Sequence, residues 1–177
     1  MDHQDFSLVA PLIEECRNGS IKAQFRLYNQ YSKAMYNLAY RMMNNREDAE
    51  DKLQEAFLEC FHNIGTFRFE STFGAWLKRI LINRCINEHR KKRVDLILCE
   101  NLPEILADEE SDIQYDMVGI SRGIDQLPDG YRIILTLYLL EGYDHTEIAQ
   151  ILGISESTSK SQYSRAKAKL RAILSNN

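Results

Sequence analysis

Residues 144–161 pack two helix starts and one glycine turn into a short stretch, and no other feature of the chain constrains its fold as tightly. Asp144 has the short acceptor side chain that caps a helix, and Glu147, three residues on, can return a bond to the cap's own N–H. Ile148, Ala149 and Leu152 then fall on one helical face, with Ala149 small enough to let a second helix come close. Gly153 stands where a sharp turn needs a positive φ, Ile154 is placed to plug the core, and Ser155 can cap the helix that follows. Two helices joined by a short glycine-containing turn form the helix-turn-helix, whose second helix enters the major groove of DNA.

That second helix carries Thr158, Lys160, Ser161, Gln162, Ser164 and Arg165, then Lys167, Lys169 and Arg171, with no acidic residue after Glu156. Gln and Arg suit base edges, while Lys and Ser also suit phosphates. A surface hairpin with a solvated basic face would share this periodicity. The turn glycine, the two caps and the acid-free second helix together favour DNA binding.

The rest of the chain has the same helical period. Tyr31, Met35, Leu38, Ala39 and Met42 share a face, as do Ala49, Leu53, Ala56, Phe57, Cys60, Phe61 and Ile64 after the polar break at Asn44, Asn45 and Arg46. Phe73, Leu77, Ile80, Leu81 and Ile86 mark a third long helix that runs into Arg90, Lys91, Lys92 and Arg93. Three such helices can enclose one core that none could bury alone. A further helical unit begins near Ser121, turns at Leu127, Pro128, Asp129 and Gly130, and continues through Ile133, Ile134, Leu137, Tyr138 and Leu140. No strand-like alternation of useful length occurs, so the expected class is all-α.

Charge divides the chain more informatively than its formal net of −4. Residues 1–93 hold 15 Lys and Arg against 12 Asp and Glu, and residues 121–177 hold 7 against 6. Residues 94–120 hold 8 acidic residues and no basic one, contain Pro103 and lose the periodicity. They read as an acidic linker, with a helical turn near its apolar start, between a domain at 1–93 and a domain at 121–177.

Other functions find little support. No apolar run approaches the roughly 18 residues of a membrane span, and the start of the chain lacks the basic cluster of a secretion signal, so a cytoplasmic protein is expected. The four cysteines (Cys16, Cys60, Cys85, Cys99) form no C-x-x-C pair, and the four histidines make no ligand pair, so neither a metal nor a cofactor is expected. Phosphate-binding glycine loops are missing as well, which argues against an enzyme.

A second constellation lies at residues 66–84. Phe67, Phe69 and Phe73 occupy a loop and the start of a helix that carries Trp76, Lys78, Arg79, Asn83 and Arg84. Aromatics beside cations suit single-stranded DNA, and a loop pocket that captures an extruded base offsets part of the cost of unstacking it. Phe73 and Trp76 taken singly fit a core better, whereas the basic face fits nucleic acid.

These residues resemble the extracytoplasmic-function sigma factors, the smallest group of the sigma-70 family. Residues 48–61 look like the family's polymerase-binding helix and residues 73–87 like its promoter-melting helix. Residues 127–170 look like its C-terminal domain, and the resemblance covers about 10–93 and 121–174. It implies that Asp51, Gln54 and Glu55 contact the clamp coiled coil of the polymerase's largest subunit. It implies too that the loop at 66–72, with Phe67, Arg68, Phe69, Glu70 and Ser71, holds a flipped non-template base of the minus-ten element, while Arg79, Asn83 and Arg84 touch the adjoining DNA. Thr158, Lys160, Ser161, Gln162, Ser164 and Arg165 would read the minus-thirty-five element. The linker would thread through the polymerase, and an anti-sigma factor would be a further partner. Three positions depart from the family pattern: Phe69 and Glu70 stand where Gly and Asp are common, Asn87 replaces a frequent Asp, and Ser159 occupies a place that is usually apolar.

The leading alternative is a helix-turn-helix regulator that binds duplex DNA without polymerase. It explains residues 121–177 but leaves the acidic helix and the melting-helix pattern without a role. A helical interaction module would lack promoter-dependent activity altogether.

Overall fold

In the computed structural model, residues 3–92 and 117–175 are described, and among them every regular element is helical. The linker expected at 94–120 therefore lies mostly outside the described residues, with Arg93 and Cys99. The chain divides into two compact units between Glu88 and His89.

The first unit contains α1 (His3–Arg17), α2 (Ile21–Met43), α3 (Arg46–His62) and most of α4 (Phe73–Lys91). The polar break between α2 and α3 is two residues with two tasks. Asn44 takes the left-handed conformation (φ 50°) that ends α2, and the Asn45 side chain accepts from Asp48 N at 3.0 Å to start α3. The short link brings α2 and α3 together, and their buried faces are those the period predicts: Met35, Leu38, Ala39 and Met42 against Ala49, Leu53, Ala56, Phe57 and Cys60. Leu77, Leu81, Ile82, Cys85 and Ile86 of α4 close the core. Helix α1 adds a fourth layer through Val9, Leu12, Ile13 and Cys16, spaced on one face despite Pro11 within the helix. Burial pushes the thiols up, to about 11 for Cys16 and about 12 for Cys60 and Cys85, so they pack as small hydrophobes.

Helices α5 (Met117–Asp125), α6 (Asp129–Leu135), α7 (His145–Leu152) and α8 (Glu156–Ser175) form the second unit. Helix α5 starts before Ser121, inside the stretch read as linker. Its Gly123 lets it lie directly on α8, since a Cβ there would fall 2.9 Å from Leu170 Cδ1. Leu127, Tyr131, Leu135 and Ala166 form a buried cluster, on which Tyr163, Leu170 and Ile173 pack. Arg132 is buried beside them, donating to Leu127 O at 2.9 Å and pairing with Asp129. Past α6 the backbone widens into a π-turn over Thr136–Leu140, closed by Glu141 N donating to Thr136 O at 3.0 Å. The wider turn rotates Leu139 and Leu140 to the surface, so Leu140 does not continue the buried face expected of it.

Candidate nucleic-acid and protein interfaces

The helix-turn-helix forms as the residues dictate. Asp144 and Glu147 make the reciprocal capping box, with Glu147 N to Asp144 Oδ1 at 2.8 Å and Asp144 N to Glu147 Oε2 at 2.9 Å. Gly153 ends α7 at φ 71°, and Ser155 Oγ accepts from Thr158 N at 3.1 Å to start α8. Ile148, Ala149 and Leu152 are buried beneath the turn, whereas Ile154 is only half-buried.

Helix α8 then sorts its residues by phase. Ser159, Gln162 and Ala166 face the core, while Lys160, Ser161 and Ser164 are exposed and Thr158 and Arg165 half-exposed. Gln162 is 4 % exposed, which corrects the expectation that it reads DNA: it lies three residues from Ser159 and four from Ala166, on the inward face. Ser159 is fully buried and hydrogen-bonded to His145 Nδ1 at 2.9 Å, in a setting completed by the stacked rings of Tyr138 and His145 and by Tyr163. Lys160 pairs with Glu156 at 2.5 Å, and this hydrogen bond holds the Glu156 carboxyl below its usual range.

In the first unit the loop before α4 is built on aromatics. Phe67 is buried against Phe69, Phe73 and Trp76, with ring centroids 4.9, 5.9 and 5.1 Å away. It is therefore the floor of the loop and offers no free face to a base, unlike the exposed Arg68 and Glu70 and the half-exposed Ser71. Phe69 has φ 60°, the left-handed region that a bulky side chain rarely occupies. On α4, Arg79, Asn83, Asn87 and Arg90 are exposed and share a face. Arg84 stands beside them but is paired with Glu59 at 2.5 Å and lies 3.9 Å from Glu55.

Asp51 and Gln54 are exposed on α3, and Glu55 is half-exposed. Leu58 completes their stripe and is 71 % exposed, a residue that the apolar-face reading missed because it lies outside that face. Its signal was a leucine at the polar phase of the helix, three residues after Glu55. Lys52, which is itself buried, ties this helix to α4 by pairing with Glu55 at 2.7 Å and Glu88 at 3.1 Å.

Comparison with known proteins matches these units separately and in order. The profile of Sigma-70 region 2 matches residues 27–94, and that of Sigma-70, region 4 matches residues 118–170. The chain is 32 % identical to the ECF RNA polymerase sigma factor SigW of Bacillus subtilis, over 94 % of this chain and 97 % of that protein. It is 31 % identical to the ECF RNA polymerase sigma factor BldN of Streptomyces coelicolor, over 96 % and 67 %. Among solved structures, a fold likeness extends to sigma factor RpoE of Bartonella quintana in complex with the anti-sigma factor NepR, with a TM-score of 0.59, 22 % identity and coverage of 88 % and 98 %. CnrH in complex with the cytosolic domain of CnrY is similar in fold at a TM-score of 0.57, 23 % identity and coverage of 94 % and 96 %.

Proposed function

We propose, since the chain belongs to the extracytoplasmic-function sigma factors of the sigma-70 family, that its two units divide promoter recognition between them. As a sigma factor it binds bacterial core RNA polymerase and directs promoter-specific initiation of transcription. In our reading the domain at 1–93 docks on polymerase through Asp51, Gln54 and Glu55, extended by Leu58. Its loop at 66–72 receives a base of the minus-ten element, and Arg79, Asn83 and Arg84 hold the neighbouring strand. The domain at 121–177 reads the minus-thirty-five element through Thr158, Lys160, Ser161, Ser164 and Arg165. Residues 94–120 connect them, and their charge suits a segment lying in channels built for nucleic acid.

The observation that carries this reading is the pairing, in one chain, of a capped helix-turn-helix with an exposed stripe of Asp51, Gln54 and Leu58 beside Glu55 on a separate helical unit. A DNA-binding regulator needs only the first. The protein acts in the cytoplasm, where its template is, and contributes binding energy rather than chemistry to initiation. An anti-sigma factor covering the DNA-facing surfaces is a further partner in this reading, supported by the RpoE–NepR complex. Among the described residues no helix is long and apolar enough to cross a membrane.

Run-off transcription with purified bacterial core polymerase on a genomic-fragment library tests the proposal. Discrete transcripts that require the protein are expected. Duplex binding without any such transcript would overturn it in favour of the regulator.

A further inference from the structure

Phe69 adopts its left-handed conformation (φ 60°) without the freedom of glycine, so something must hold the backbone there. Arg17, the last residue of α1 and far away in sequence, lies against the same loop. Its Nη2 donates to Phe67 O, its Nε donates to Ile64 O at 3.4 Å, and its guanidinium carbon sits 5.2 Å from the centroid of the Phe69 ring. Glu14, one helical turn back, holds Arg17 through Nη1 at 2.7 Å. A planar guanidinium can serve two carbonyls and an aromatic face at once, which a point charge cannot. Phe67, whose carbonyl is held, is also the buried floor of the loop.

We propose that Arg17 is a positioning residue for minus-ten recognition, clamping residues 67–72 in the turn that sets where Arg68, Glu70 and Ser71 stand toward a captured base. The inference rests on the reading of this loop as the base-binding element. The clamp serves two parts of the loop at once: it satisfies the carbonyls that precede Phe69 and covers the ring of Phe69 itself. Stacking on Phe69 thus opposes the strain at the residue that carries it.

The test uses the full chain with Arg17→Ala and Arg17→Lys, alone and as holoenzyme. Hydrogen exchange of the loop amides in the free protein reads the clamp. Arg17→Ala should speed exchange at residues 67–71 about tenfold, the scale of a lost charge-assisted hydrogen bond, with Arg17→Lys intermediate. Transcription from a promoter recovered by run-off, compared with templates substituted at each minus-ten base, reads positioning. Arg17→Ala should flatten the preference at one base while leaving holoenzyme assembly near wild type. Unchanged loop exchange would overturn the clamp. Faster exchange with unchanged base preference would overturn the positioning role if Glu70→Ala or Ser71→Ala still alters that preference. If neither of these does, the base-capture reading falls as well.

Discussion

His145 Nδ1 and Ser159 Oγ are hydrogen-bonded at 2.9 Å, joining the first residue of α7 to the fully buried inner face of the recognition helix. A polar side chain at this buried place is held because its partner arrives from the neighbouring helix, so α8 is seated on α7 by a directed bond. Ser159→Ala should cost about 1 kcal/mol, because it leaves the imidazole nitrogen short of a partner. In a double-mutant cycle with His145→Phe, the double variant should lose less than the sum of the two single losses. Urea unfolding of the four proteins checks this; strict additivity would mean that the bond contributes nothing.

Lys52 is a buried cation of the first unit, and its pairing makes a prediction about pH. Burial alone would lower its pKa from 10.5, but the hydrogen bonds to Glu55 and Glu88 outweigh this and raise it. A raised pKa means stability that is fully present below the unfolded value of 10.5 and lost as pH rises through the higher folded value. Lys52→Met should therefore destabilise the fold, with the difference from wild type flat between about pH 6 and 9. Thermal melts across that range test it. A gap that closes already near pH 8 would show that the pairing is not what ties α3 to α4.

The two faces of α8, one buried and one exposed, should separate stability from DNA binding. Gln162→Ala should lower stability by about 1–2 kcal/mol, as removal of a buried polar side chain does. Arg165→Ala should weaken duplex binding and reduce the salt slope by about one. Binding titrations at several salt concentrations, beside melting curves, compare the pair. If Gln162→Ala instead changed preference at a single base pair without loss of stability, Gln162 would be reading DNA after all.

What was legible in the sequence was local. The capping box, the glycine turn and the apolar faces of α2, α3 and α4 depend on residues within a turn or two of each other, and they fall where spacing puts them, except that on α4 Ile80 is only half-buried and Ile82 takes a place in the core. What was not legible depended on phase or on distance. Gln162 has the chemistry of a base reader, and only the rotation of α8, set by burial of Ser159 and Ala166, turns it inward. Phe67 resembles a stacking platform until Phe73 and Trp76 arrive to cover it. Pro11 masks the regular stripe of α1. The bond from Arg17 to the loop spans 50 positions in the chain, beyond any periodic signal.

Asp51 and Leu58 should both matter to polymerase binding, for different reasons. Asp51 is exposed on α3, so Asp51→Arg should leave the fold intact while reversing charge at one end of the stripe formed with Gln54, Glu55 and Leu58. Holoenzyme formation should be lost, since a like-charge contact opposes docking as strongly as the original favoured it. Leu58 exposes 71 % of its surface, and covering it with a partner removes apolar area from water. Leu58→Ala should weaken assembly by roughly 1–2 kcal/mol with no change in the salt dependence, whereas Asp51→Asn should reduce that dependence. Assembly measured by fluorescence anisotropy at two salt concentrations distinguishes them. Asp51→Arg holoenzyme forming at wild-type affinity would remove α3 from the interface, and a salt-sensitive Leu58 effect would show that the leucine acts only by positioning its charged neighbours.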